Sequence, residues 1–181
     1  MPTVSDAGPL IHLAQIRKLF VLKALFGIVM IVPKVKREVV DEGIRSGHED
    51  ALTARSAVEE GWIEVRKPTS ETTKRAEKLA KDENISASDA ETLMLAKEQQ
   101  VPVLLTDERL LSNLSKMHGL KVWNTWIILL EALARELIGE ADIEVAIDEL
   151  GKKRHKLKPE QAKEILEAAK RIGASRLLSQ K

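Results

Sequence analysis

The 181 residues suffice for one domain, or one domain with a small appendage, and at this size roughly 70% of the unfolded surface can be buried without staples. Apolar residues make up 44% of the chain and aromatics 3%, so the core is aliphatic and offers no stacking platform for bases; the lack of cysteine excludes disulfides, thiolate nucleophiles and Cys-ligated zinc. The net charge of +1 conceals a split, because ten Lys or Arg stand against three Glu from residue 151 onward, leaving 19 basic and 25 acidic residues over 1–150. Such a basic tail either reaches a polyanion or solvates the outside of a terminal helix. The opening MPTVSDAGPL lacks the basic-then-apolar layout of a signal peptide, and no apolar run approaches the ~20 residues of a membrane helix. The expectation is a cytoplasmic protein with no membrane association.

Short apolar runs alternate with amphipathic stretches, the pattern of βαβ units and a parallel sheet. A brief strand over 3–5 stops at Asp6. Leu10, Leu13, Ala14 and Ile16 then form a helical stripe that continues past Arg17, with His12 on or beside its inner face. The β-branched run 28–32 reads as a buried strand with a sharp exit at Pro33. Helices follow over 35–44, broken across 43–47, and over 51–60, closed by Gly61. The alternating 62–65 reads as an edge strand, and a charged helix runs from Pro68 to about residue 82. After a turn over 84–88 comes a helix over 90–97, then a second buried strand over 101–105 that ends at Thr106-Asp107. A helix leads to Gly119 and a last strand spans 120–123. The rest reads as helical over 125–138, 141–150 and 159–172, with Pro159 in the first turn and Gly173 past the end. The expected division is a body over 1–150 and a basic helical extension over 151–181, with a seam over 151–158.

In an open parallel sheet, ligands bind beyond the carboxyl ends of the strands where strand order reverses. Two apolar strands deliver an aspartate at that place, Asp6 and Asp107. Each also reads as a helix N-cap, but capping does not explain their matched positions on two strands. Two such carboxylates repel each other unless a cation lies between them, and with no Cys the natural cation is Mg²⁺ or Mn²⁺. Glu38 and Asp89 stand in the first turns of later helices, where the helix dipole favours an ionised carboxylate. Ser86 with Asp89, and Ser88 with Glu91, also match the spacing of a capping box. His12, His48, His118 and His155 show no metal-ligand spacing. No GxSxG, P-loop or GxGxxG motif supports acyl transfer, nucleotide hydrolysis or dinucleotide chemistry.

The segments Ser5-Asp6-Ala7-Gly8-Pro9-Leu10-Ile11 and Val32-Pro33-Lys34-Val35-Lys36-Arg37-Glu38-Val39 resemble the opening of a PIN-domain nuclease. Ser88-Asp89-Ala90-Glu91-Thr92-Leu93 resembles the third acidic motif of that family, and Leu105-Thr106-Asp107-Glu108-Arg109 the fourth. The segment Gly119 to Thr125 is similar to the strand and helix start that follow, so the resemblance spans roughly residues 3–150. It is nearest to small prokaryotic PIN proteins of the VapC toxin type. The resemblance implies a Rossmann-like α/β fold with a central parallel sheet of about five strands flanked by helices, usually as a homodimer. It further implies Mg²⁺- or Mn²⁺-dependent endoribonuclease activity, often silenced by a VapB-type antitoxin. By the same resemblance Asp6, Glu38, Asp89 and Asp107 form the acidic quartet, and Thr106 is a supporting hydroxyl.

Two departures stand out. The third motif reads Ser88-Asp89 where the family has Gly-Glu, one methylene shorter, with Glu91 a turn away as a possible substitute. Leu111-Ser112 stands where relatives carry Ala-Arg. The implied mechanism is in-line hydrolysis of RNA with Lys152, Lys153, Arg154 and Lys156 holding the backbone. Two alternatives use the same fold: a catalytically silent PIN module that docks RNA or protein, and a nuclease of RNA maturation. Receiver domains want adjacent acids after the first strand, and dehalogenase-type phosphatases want Asp-x-Asp; here Asp6 stands alone and residue 8 is Gly.

Overall fold

The computed structural model describes residues 1–153 and 155–179, with side chains described through residue 175. Five three-residue strands, β1 (Thr3–Ser5), β2 (Val29–Ile31), β3 (Ile63–Val65), β4 (Val103–Leu105) and β5 (Lys121–Trp123), pair in parallel in the order β3-β2-β1-β4-β5. Helices flank the sheet, giving the α/β architecture expected from the alternating pattern. The run 28–32 contributes its central three residues as strand and the run 101–105 its last three, and the alternating segment 62–65 supplies the edge strand β3.

The chain forms two compact units, 1–125 and 126–181. In the first, β1, β2 and β4 are buried throughout, as continuous β-branched and Leu runs in a parallel sheet require. Leu10, Leu13, Leu22, Ile31, Ile63, Leu93, Leu95, Leu104, Leu105 and Leu111 are its largest fully buried side chains. The aromatic contribution is small: the Phe26 and Trp123 rings meet at 5.4 Å.

The first helical stretch divides where continuity was expected. α1 (Ala7–Gln15) and α2 (Phe20–Phe26) are separated at Arg17, whose φ of 56° no α-helix accommodates. The helix after β2 is composite: α3 (Pro33–Lys36) passes into a π-helical segment, Arg37–Glu42, and then α4 (Gly43–Arg45). Gly43 is therefore helical, and the break falls at Gly47, with φ of 75°. α5 (Glu49–Glu59), α6 (Ser70–Glu83), α7 (Ala87–Glu98) and α8 (Arg109–Met117) complete the unit.

α9 (Thr125–Ala134) leads into the second unit, where α10 (Glu140–Lys152) packs against α11 (Pro159–Ser179). Ile143, Ala146 and Leu150 of α10 are buried, as is Ala169 of α11. The segment read as a seam begins inside α10, whose last residues are Gly151 and Lys152. Gly173 does not end its helix. It lies against α10, where an added Cβ would fall 1.7 Å from Oε1 of the exposed Glu140, whose carboxylate would have to swing aside. No helix among the described residues is long and apolar enough to cross a membrane.

Candidate active site

Val4 aligns with Leu104 and Ser5 with Leu105, so β1 and β4 end side by side. Beyond those ends the Asp6 amide donates to the Leu105 carbonyl at 2.9 Å, and the Thr106 amide donates to the Trp123 carbonyl at 3.1 Å. Strands β2 and β3 follow β1 to one side while β4 and β5 lie on the other, so strand order reverses between β1 and β4. This is the crevice where such sheets bind ligands. Capping accounts for neither aspartate. Asp6 occupies the N-cap of α1 without a side-chain capping bond, and Asp107 stands one residue before Glu108, the N-cap of α8.

Asp6 is 5% exposed and accepts a hydrogen bond from the Thr106 hydroxyl at 3.2 Å. That hydroxyl also accepts from the Glu108 amide at 3.0 Å, which fixes its direction. Burial pushes Asp6 up from 3.8 to about 6, and the charges of Asp89 and Glu38 add to the rise, against the pull of the Ala7 amide and the Thr106 hydroxyl. Glu38, in the first turn of the π-helical segment, is also raised, first by burial and then by Glu42, Asp89 and Glu108. The structure thus brings Asp6, Glu38 and Asp89 into one electrostatic group. None of the three has an ion-pair partner among the described residues, since Lys34 pairs with Glu91 and Lys36 with Asp41.

Asp89 donates its backbone amide to the Ser86 hydroxyl at 3.0 Å, so Ser86 caps α7 as expected while the Asp89 carboxylate stays outside the cap. The second capping box is absent. Glu91, 9% exposed, is held by Lys34, and the buried Ser88 hydroxyl has no hydrogen-bond partner. Glu91 is thus paired with a lysine from α3, whereas Asp89 has no such partner among the described residues.

Asp107 has a different environment. The Thr125 amide donates to Oδ1 at 2.8 Å, the Thr125 hydroxyl donates to Oδ2 at 2.6 Å, and His12 Nδ1 lies 2.8 Å from Oδ2. Burial alone would raise this carboxyl, but the hydrogen bonds from His12 and Thr125 outweigh it and hold Asp107 below the ordinary value. Sequence reasoning missed the roles of His12 and Thr125. A residue standing just past β5, next to β4, carries such a signal only once strand order is known.

Of the basic residues expected to hold RNA, Lys152 is paired with Asp148 at 2.5 Å, while Lys153 and Lys156 are exposed and Arg154 lies outside the described residues. Lys152, Lys153 and Lys156 belong to the second unit.

A cavity of about 230 Å³ opens beside Glu38, walled by Ile11 and Val39 and bordered by Gln15, Glu42, Ser46 and Asp50. The π-helical segment forms one side, in keeping with the frequent use of such segments at functional sites. Among the described residues, no three His, Asp or Glu side chains are arranged to enclose a metal ion. The charge pattern nonetheless fits a hard divalent cation, because Asp6, Glu38 and Asp89 crowd one another without a cationic partner. Mg²⁺ in particular is commonly held by one or two carboxylates, with water and substrate phosphate completing its shell, so a closed cage is not required.

A family model described as a PIN domain matches residues 2–171. No curated protein matches the chain.

Proposed function

The chain belongs to the PIN-domain family, a nuclease-type fold, and we propose that it is a divalent-metal-dependent endoribonuclease that hydrolyses RNA phosphodiester bonds. One observation carries this reading: at the reversal of strand order the buried Asp6 lies in the field of Asp89 and Glu38, both of which raise its pKa, and none of the three has a cationic partner among the described residues. Those carboxylates, with Asp107, would hold Mg²⁺ or Mn²⁺. When bound, the cation supplies charge neutralisation at the scissile phosphate and a more acidic water. Asp107, ionised by its hydrogen bonds, is a fixed anion at one side of the crevice. Asp6 is the group whose proton must leave before it acts as a donor, and the Thr106 hydroxyl sets the direction of its Oδ2. No side-chain nucleophile is needed, in keeping with a chain that has no cysteine.

We further read the chain as the toxin of a VapBC-type pair, a cytoplasmic homodimer silenced by a VapB-type antitoxin, with the exposed Lys153 and Lys156 on the RNA backbone. RNA maturation is the alternative role for the same site. Growth arrest on expression of the wild type, relieved by Asp89→Asn, separates the toxin from the maturation enzyme.

The test of the activity is cleavage of single-stranded and structured RNA in Mn²⁺ or EDTA by the wild type and Asp89→Asn. Metal-dependent cleavage that disappears in the variant is expected. Cleavage by Asp89→Asn at the wild-type rate removes that carboxylate from the site. No cleavage of any RNA by the wild type leaves the docking-module reading, which has in its favour that both Asp107 oxygens already accept protein hydrogen bonds.

A further inference from the structure

Asp107 is gripped by groups from two other parts of the first unit. Thr125, just past β5, reaches both carboxylate oxygens through its amide and hydroxyl, at 2.8 and 2.6 Å. From α1, His12 Nδ1 reaches Oδ2 at 2.8 Å and lies 3.4 Å from the Thr125 hydroxyl. An ionised carboxylate only accepts, so the short His12 contact requires the proton on Nδ1, which fixes both the face and the tautomer of the ring. The His12 side chain is 14% exposed and that of Asp107 is 22% exposed, so solvent reaches the pair only in part.

Gly8 completes the arrangement. It precedes His12 by four residues on α1, so the two share one face of the helix. A Cβ at Gly8 would stand 3.2 Å from Asp107 Oδ2 and 3.3 Å from its Cβ, tighter than ordinary contact. One residue thus leaves room for the carboxylate and the other, one turn on, supplies a donor. The same helix begins at Asp6, so the socket ties the ends of β1 and β4 to a single rigid element.

We propose that His12 is a positioning residue for the nuclease reaction, its Nδ1–H holding the Asp107 carboxylate in one orientation past the end of β4, next to the end of β1 that delivers Asp6. This rests on the nuclease reading above and adds to it a residue outside the acidic quartet. His12 does not touch the substrate and transfers no proton; it acts through Asp107. Loss of a partner that orients a metal-binding side chain typically costs 10–100-fold in metal affinity or activity.

The test compares wild type, His12→Ala and His12→Asn in three measurements: Mn²⁺ dissociation constant by electron paramagnetic resonance, kcat and KM on an RNA oligonucleotide, and melting without metal. The Asn side-chain amide offers a donor close to the place of Nδ1 and cannot ionise. Expected for His12→Ala is a Mn²⁺ affinity weaker by about 10–100-fold, a matching loss in kcat and little change in KM. His12→Asn is expected to recover most of both, with all three proteins fully folded without metal at the assay temperature. The proposal is overturned if His12→Ala binds Mn²⁺ and turns over like the wild type. It is equally overturned if His12→Asn is as impaired as His12→Ala, or if the losses only follow a drop in metal-free melting. Absence of Mn²⁺ binding and cleavage in the wild type appears in that arm alone; it identifies the nuclease reading as the failed step, and the role of His12 falls with it.

Discussion

Replacing Asp6 with Asn removes a charge that the fold itself disfavours. Asp6 is 5% exposed, and burial reinforced by Asp89 and Glu38 moves its pKa from 3.8 to about 6. A carboxyl whose pKa is raised on folding binds its proton more tightly in the native state. It is without penalty below the unfolded value of 3.8, destabilises progressively as pH rises towards about 6, and carries its full penalty above that. At about 1.4 kcal/mol per pH unit, the interval between 3.8 and about 6 corresponds to about 3 kcal/mol at neutral pH. Asn keeps a side-chain oxygen for the Thr106 hydroxyl and carries no charge, so Asp6→Asn is expected to gain much of that amount. In EDTA at pH 7.5 the variant should melt several degrees above the wild type, given roughly 2–4 °C per kcal/mol for chains of 150–250 residues. The gap should narrow as pH falls from 6 towards 4, where the wild-type carboxyl is itself protonated. Saturating Mn²⁺ should also narrow it, because a ligand at 100 times its Kd adds about 2.7 kcal/mol to the form that binds it. The assay is thermal melting followed by circular dichroism, in EDTA and in Mn²⁺, at pH 4, 5, 6 and 7.5. An Asn variant that melts at or below the wild type at pH 7.5, or whose advantage is the same at pH 4, refutes the reasoning.

Two further substitutions test the surroundings of the site. Thr92 is fully buried in α7 and its hydroxyl has no hydrogen-bond partner, so Thr92→Val should be neutral or stabilising by up to about 1 kcal/mol in urea denaturation; a loss larger than about 1 kcal/mol would show that the hydroxyl is satisfied in solution. Lys34→Ala should cost about 1–2 kcal/mol, because it strands Glu91, whose side chain is 11% exposed, while the 43% exposure of Lys34 keeps the loss below that of a fully buried pair. In the double variant Lys34→Ala/Glu91→Leu most of that stability should return, and a double variant no better than Lys34→Ala would show that the ion pair is not the cause.

The sheet was legible because parallel strands buried on both faces leave uninterrupted apolar runs, as in 28–32 and 101–105, and because a strand end followed by Asp is a local signal. The edge position of β3 was legible too, from the alternation of 62–65. What stayed hidden depends on geometry that residue types do not encode. The π-helical turn at Arg37–Glu42 carries the same apolar spacing as an α-helix over so few residues. Arg17 adopts φ of 56° without being Gly, Asn or Asp, so nothing in its identity marks the break between α1 and α2. Gly173 looked like a helix stop because glycine commonly serves as one, whereas its neighbour is Glu140 on another helix. The acids of the site were legible one by one from strand ends and helix starts, and their grouping only through the family resemblance. His12 and Asp107 are 95 residues apart, and Lys34 and Glu91 are 57 apart, so each pairing is decided by strand order and helix placement.

Asp6 and Asp107 make the point most sharply. They are the same residue type, each released from the carboxyl end of a buried strand, and those strands are neighbours. Sequence alone gives them the same reading, yet the fold drives their proton affinities apart. Asp6 faces other carboxylates and one weakly placed hydroxyl, whereas Asp107 receives three hydrogen bonds from His12 and Thr125. Separation of like groups by environment is how two carboxyls come to serve different roles in one site. Asp107 is ionised at neutral pH without assistance, so a cation gains little by relieving it. Asp6 and Glu38 are ionised only against burial and the charge of Asp89, and that unfavourable free energy would be released if positive charge entered the crevice. On the proposed metal-dependent reading, the drive to bind a cation would come from relief of Asp6 and Glu38, while the hydrogen-bonded Asp107 would supply a fixed direction.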